Sequence, residues 1–167
     1  MTDKEDIKEL VSKVHAQWCA AIEEVSRECD SRSLPNLAAK YRACDMFKGT
    51  EDVKALADLF TSPQGAEFCI AHRFPNLAVF RLFKAFSPER YNVYIDAGKI
   101  ALRNPKKAVL VGRTSAVVDC DTLERHGVWL MHGAKAVINA SGWAVVRVES
   151  SAGCQVIKNV TGNAVIL

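Results

Sequence analysis

No stretch of this chain approaches the roughly 18 uninterrupted apolar residues that a membrane-spanning helix requires, so a bilayer-spanning protein is not expected. The first residues, Thr2 to Lys8, are charged and lack the apolar core of a secretory signal. Six cysteines, at 19, 29, 44, 69, 120 and 154, form no C-x-x-C pair. They read as small buried residues in a reducing compartment, not as disulfides or a zinc site. A glycine-rich phosphate loop, G-x-S-x-G and H-E-x-x-H are also missing, which removes the commonest signatures of nucleotide, acyl-transfer and zinc-protease chemistry. A cytoplasmic protein with no cofactor and no metal is the expectation.

A strong excess of one charge is absent too. The 22 basic and 19 acidic residues leave a net +3, unevenly spread. Residues 1–30 carry a net −4, residues 31–113 a net +7 and residues 114–167 no net charge. Such an imbalance is too mild to announce nucleic acid binding, where a concentrated basic stripe is expected. Apolar content of 49% in 167 residues suits one globular domain or two modules sharing a core.

What is present falls into two regimes. Over residues 1–90 the apolar spacing is helical. Thr2 and Glu5 form a capping box, followed by a stripe of Ile7, Leu10, Val11, Val14, Trp18, Ala21, Ile22 and Val25 that predicts one long helix ending near Asp30. A second helix is predicted near 36–47, closed by Gly49, and a third is predicted to be capped by Thr50. Ser62-Pro63 restarts the chain with an N-cap before a first-turn proline. A Phe-rich helix then opens after Phe74-Pro75 and runs to Phe86. It is apolar on nearly every side, which predicts burial on two sides and a role as a plug over the first strands.

From Val93 the apolar period changes to 2, the period of strands. In residues 133–167 an alternating unit recurs about every ten residues: Ala134 to Ile138, Ala144 to Val148, Cys154 to Ile157, and Ala164 to Ile166. A glycine stands at each joint, where a sharp corner needs unusual backbone angles. Short strand, corner and repeat is the pattern of a coiled β-solenoid. The fold class expected is α+β, with a helical region over 1–90 capping a solenoid of three to four coils over 91–167. Residues 121–127 break the register and are predicted to form a loop extruded from the stack. The final unit stops at Leu167, so either another copy covers it, or a short bare edge is tolerated, or the chain continues in a longer form.

Several residues are candidates for chemistry. Asp119 and Asp121, with Trp129 and Trp143, fit a polysaccharide-binding or polysaccharide-cleaving wall: paired carboxylates for acid–base work and aromatic faces for stacking. Aspartates before a corner equally make turn hydrogen bonds, and tryptophan equally closes a core. Arg103, Lys106, Lys107 and Arg113 form a basic cluster that suits an anion or nucleic acid, with Arg73, Arg81, Lys84 and Arg90 on the preceding helix. His126 and His132, six apart, are two ligands where a metal wants three or four. Cys120 and Cys154 occupy positions that alanine and valine fill elsewhere, the behaviour of core filler, so no catalytic residue is assigned. Ala164, Val165, Ile166 and Leu167 offer a strand for self-association, since unpaired backbone at a solenoid end attracts another strand.

Short words in the chain, Thr61 to Cys69, Tyr94-Ile95-Asp96-Ala97-Gly98, Leu130 to Ala136 and Ala140 to Ala144, resemble a set of uncharacterised bacterial proteins. In these a helical front half precedes repeats of the asparagine-alanine-x-valine kind. The resemblance implies a short β-helix behind a helical cap, and no activity. A likeness of architecture alone extends to bactofilin-type scaffolds, which stack end to end. The leading functional expectation is a non-catalytic scaffold or interaction protein that pairs with itself through the last coil. A polysaccharide protein and an anion or nucleic acid binder are the alternatives.

Overall fold

A computed structural model describes residues 3–167, so the Thr2 cap lies outside the described residues. The long stripe becomes one face of α1 (Asp3–Ser31), with Leu10, Val11, Val14, Trp18, Ile22 and Val25 all buried. Helix α2 (Pro35–Arg42) is shorter than expected. Its intended end lies in an irregular stretch from which Phe47 drops into the core, against the rings of Trp18, Phe60 and Phe74. The cap of α3 (Val53–Thr61) is Asp52, not Thr50, because Asp52 Oδ1 reaches the Ala55 amide at 2.7 Å. Ser62 caps α4 (Pro63–His72) as its Ser-Pro pattern implied, accepting the Gly65 amide at 3.0 Å. Asn76 caps α5 (Leu77–Phe83), and 3₁₀ turns over Lys84–Phe86 and Pro88–Tyr91 lead to the first strand.

The second regime is a β-solenoid of about four coils. Strands β1 (Val93–Ile95), β3 (Lys107–Val111), β5 (Arg125–Met131), β7 (Val145–Ser150) and β9 (Val165–Ile166) stack in parallel as one sheet. Strands β2 (Gly98–Arg103), β4 (Thr114–Cys120), β6 (Lys135–Ala140) and β8 (Gln155–Val160) form the facing sheet. Val93 pairs with Val109, 16 residues on, while Val109 pairs with Trp129 and Val145 with Val165, each 20 on. The interior is filled rung by rung by Leu110 and Leu130 from one sheet and by Ala116, Val118, Ala136 and Ile138 from the other.

Residues 121–127 are not extruded. Residues 121–124 turn a corner of the same length as 141–144 and 161–164, and the rest belongs to β5. The register looked broken because His126 stands at an inward position, in line with Val146 and Ile166. The ring is buried yet satisfied: Nδ1 lies 2.8 Å from the Pro105 carbonyl and Nε2 lies 3.2 Å from the Thr122 hydroxyl. A carbonyl only accepts, so Nδ1 carries the proton.

The helices cap the solenoid along its flank. Val93, Ile95, Val109, Val111, Trp129 and Met131, on the outer face of the first sheet, share one core with Trp18, Phe60, Phe80 and Phe83. Helix α5 does not lie across the first coil as a plug; it runs beside the corners of the first three coils. Arg81 pairs with Asp96 at the first corner, Leu77 lies against Gly112 at the second, and His132 at the third bonds Pro75 and packs on Phe80. The cause is visible in the strands. Ala108 to Val111 and Val128 to Met131 are apolar at every position, so both faces demand cover. Each such large side chain contributes about 1.5–3 kcal/mol on burial. The facing sheet alternates, as in Thr114 to Cys120, and leaves its outer face in water. Where the helical layer thins out, Arg147 on β7 pairs with Glu67 of α4 and with Glu149.

Candidate functional site

The four residues of the expected glycan wall do not share a wall. Trp129 is 3% exposed and lies beneath the helices, whereas Trp143 is 62% exposed on the corner before β7. Asp119 points outward from β4, where it accepts from Asn139 Nδ2 at 2.8 Å; Asn139 in turn accepts from Asn159 at 2.9 Å. Asp121 sits in the following corner, held by Arg103 at 2.9 Å and Asn104 at 2.8 Å. These carboxylates tie successive rungs together, and no groove separates them in the manner glycosidase chemistry needs.

The expected basic cluster is also divided. Arg103 ends β2 beside Asp121, and Lys106 and Lys107 follow in the next corner and the start of β3. Arg113 lies at the other end of the strands, in the corner between β3 and β4. His126 near the start of β5 and His132 just after its end likewise stand at opposite ends of the strand and bond different partners. Among the described residues no group of three or more His, Cys, Asp or Glu is placed to hold a metal ion. All six cysteines are free. Burial first, then the carboxylates of Asp119 and Asp121, push the Cys120 thiol up to about 11, and burial also pushes Cys69 up. Neither thiol ionises near neutrality, as a nucleophile must.

A different set of residues does converge. Between α5 and the stacked corners lies an open cleft of about 500 Å³, lined by Leu77 and Arg81 from the helix and by Lys99, Arg113, Ser115, His132 and Lys135 from the solenoid. Lys99, Ser115 and Lys135 are one outward row, paired rung to rung, so the two lysines stand about 10 Å apart along the stack with the serine between them. Arg113 projects from the corner just before this row. Among the described residues, Lys99, Arg113 and Lys135 have no ion-pair partner, and the Ser115 hydroxyl has no hydrogen bond.

Asp96 stands behind this lining and anchors two of its members. Its carboxylate accepts Arg81 Nε at 2.7 Å and the Arg113 amide at 2.8 Å, and the Lys84 ammonium donates to its carbonyl at 3.0 Å. The Arg81 bond, with the amide and the nearby charges, holds this carboxyl below the usual range against a partial burial that works the other way. Gly112 beneath it has φ +67°, and a Cβ there would stand 2.4 Å from Asp96 Oδ1. Thr114 closes the corner, accepting the Ala97 amide at 3.0 Å and donating to the Val111 carbonyl at 2.9 Å. With Asp96 and Thr114 engaged, the free donors facing the cleft are the lysines, Arg113, Ser115 and the remaining N–H groups of Arg81.

Sequence reasoning named Arg113 in a basic cluster with Arg81 on the helix before it, but mixed both with Arg103, Lys106 and Lys107 and did not single out Lys99 or Lys135. The signal was present: each stands at the same outward place after a corner, but only a 16-residue step followed by a 20-residue step aligns them. No protein-family model matches this chain, and no curated protein or solved structure shows significant similarity to it.

Proposed function

We propose that this is a non-catalytic binding protein whose ligand is an anion held in the cleft between α5 and the solenoid corners. One observation carries the reading: Arg81, Lys99, Arg113 and Lys135 gather on one concave surface whose lining holds no carboxylate, and the nearby Asp96 is already committed to Arg81 and a backbone amide. Uncompensated like charges cost stability unless an anion relieves them. A binder fits better than an enzyme, because the Cys69 and Cys120 thiols are held protonated and the carboxylates of Asp119 and Asp121 are tied into rung-to-rung bonds. A cytoplasmic location belongs to this reading, supported by six free thiols. Calorimetric titration of the full chain with inorganic phosphate at low salt tests it. Binding that weakens about tenfold in Arg113→Gln is expected from losing a charge-assisted bond. No binding of phosphate, or affinity indifferent to Arg113, overturns it.

A second reading, self-association as a scaffold with itself as partner, is favoured by a separate observation. Val160 on β8 and Ile166 on β9 stand at inward register positions with no further coil over them, and each of these strands pairs on one edge. Stacking of copies, in the manner suggested by the likeness to bactofilin-type scaffolds, would cover them. Lys158 sets a condition, since it holds the register position above Ile138 and a coil laid over it must bring a carboxylate. Sedimentation at rising concentration decides: mass that grows with concentration and reverts in Val160→Lys supports this reading, and a strict monomer at high concentration removes it.

A further inference from the structure

We infer that the anion taken by the cleft is a small linked polyphosphate, a diphosphate or triphosphate group, recognised through its phosphates alone. This rests on the reading of the cleft as an anion site and adds the class of ligand.

Three features point there. The first is charge. Four basic side chains line the cleft and one of them, Arg81, is paired with Asp96, which leaves about three positive charges in excess, and phosphoryl groups at about −1.5 to −2 each balance that in a pair. A single phosphate does not.

The second is layout. The basic column begins at Lys99 on the first coil, passes Arg113 and Ser115 on the second and ends at Lys135 on the third. The next corner, 151–154, carries no charged side chain. Cation, hydroxyl and cation along about 10 Å match successive phosphate groups, with the Arg113 fork free to grip one of them from the side. A nucleic acid would need this track to continue, and it does not. Across the same outer face the neighbouring row is Ala101, Val117, Val137 and Ile157, followed by Arg103, which Asp121 neutralises, then Asp119, Asn139 and Asn159.

The third is what lines the remainder. Leu77 is the one aliphatic side chain of the lining, and no Phe, Tyr or Trp is among the lining residues. Single-stranded nucleic acid binders hold bases on such aromatic platforms. The volume, about 500 Å³, is that of a small-molecule site.

The experiment titrates the full chain by calorimetry at low salt with three probes: inorganic pyrophosphate, inorganic orthophosphate and a single-stranded oligonucleotide. Pyrophosphate is expected to bind at least about tenfold more tightly than orthophosphate, because it meets two of the charged rungs at once. Lys99→Gln and Lys135→Gln, both exposed positions, should each bring pyrophosphate close to the orthophosphate value. Lys106→Gln, in the opposite corner, should leave both unchanged. Equal affinity for the two phosphates, lost in Arg113→Gln, overturns the polyphosphate inference and leaves the anion site standing. An oligonucleotide that binds more tightly than pyrophosphate, with a salt slope growing with its length, overturns it in favour of a nucleic acid. Failure of all three probes removes both readings together.

Discussion

The indole of Trp129 lies on the bare Cα of Gly127, two residues earlier on the same outward row of β5. A Cβ on Gly127 would stand 2.4 Å from Trp129 Cη2 and 2.8 Å from Cζ3. The ring is rigid and roofed by the helical layer, so it cannot move aside. Gly127→Ala is therefore expected to destabilise the fold by about 2–3 kcal/mol in urea unfolding. In Trp129→Leu the same glycine substitution should cost much less, and strict additivity of the two would show that the contact does not matter. The buried Trp129 Nε1 has no protein partner, so part of what that ring gains by burial is already offset.

Asp96 joins the first corner to α5. Asp96→Asn keeps the shape but removes the charge that Arg81 and the Arg113 amide bind, and should lower stability at pH 7 by about 1–2 kcal/mol. The folded carboxyl titrates below its unfolded value of about 3.9, so its contribution is complete above that value and is lost as pH falls through the lower folded one. Wild type should lose stability in that acid window more steeply than the variant. Parallel curves would contradict the assignment.

His72 acts at a higher pH. Its ring packs on Phe68 at 4.4 Å, and burial lowers its pKa against the opposing pull of Glu24 and Glu28. The unfolded chain then binds the proton more readily, so stability rises with pH across the window. The contribution is complete above the unfolded value of about 6.5 and is lost as pH falls through the folded one. Unfolding midpoints at pH 5 and pH 7.5 should differ less in His72→Phe than in wild type. An unchanged difference would assign the slope to other groups.

Thiol labelling reads the packing directly. Cys19 and Cys44 are exposed, Cys154 is intermediate, and Cys29, Cys69 and Cys120 are buried. Iodoacetamide under native conditions should modify Cys19 and Cys44 first, as resolved by peptide mass. Cys120, inward on β4 with its thiol pushed up to about 11, should react after unfolding. Early labelling of Cys120 would mean that the coil opens there.

The solenoid was legible because its local rules repeat. Ala116, Ala136 and Val156 recur at one inward position, and the strand period agrees with that arrangement, with glycines marking the corners from Gly133 onward. His126 misled because a polar letter at an inward position resembles a break, until a carbonyl from the neighbouring corner is seen to satisfy it. The helical pattern of α1 was equally plain, while the end of α2 was lost because Phe47 is held by other rings and not by its own helix.

The chain by itself determined that helices precede a ladder of short strands, since periods of 3.6 and 2 are written in neighbouring residues. It also marked, in the doubly apolar β3 and β5, a sheet that must be covered twice. Only the tertiary structure decided what covers it, and so where the basic residues meet. Arg81 is far from Lys135 in sequence, and a coil that steps 16 residues and then 20 brings Lys99, Arg113 and Lys135 into one column beside α5. Like charges gathered from four separate elements leave no periodic trace, because convergence is a property of register and packing and not of spacing along the chain.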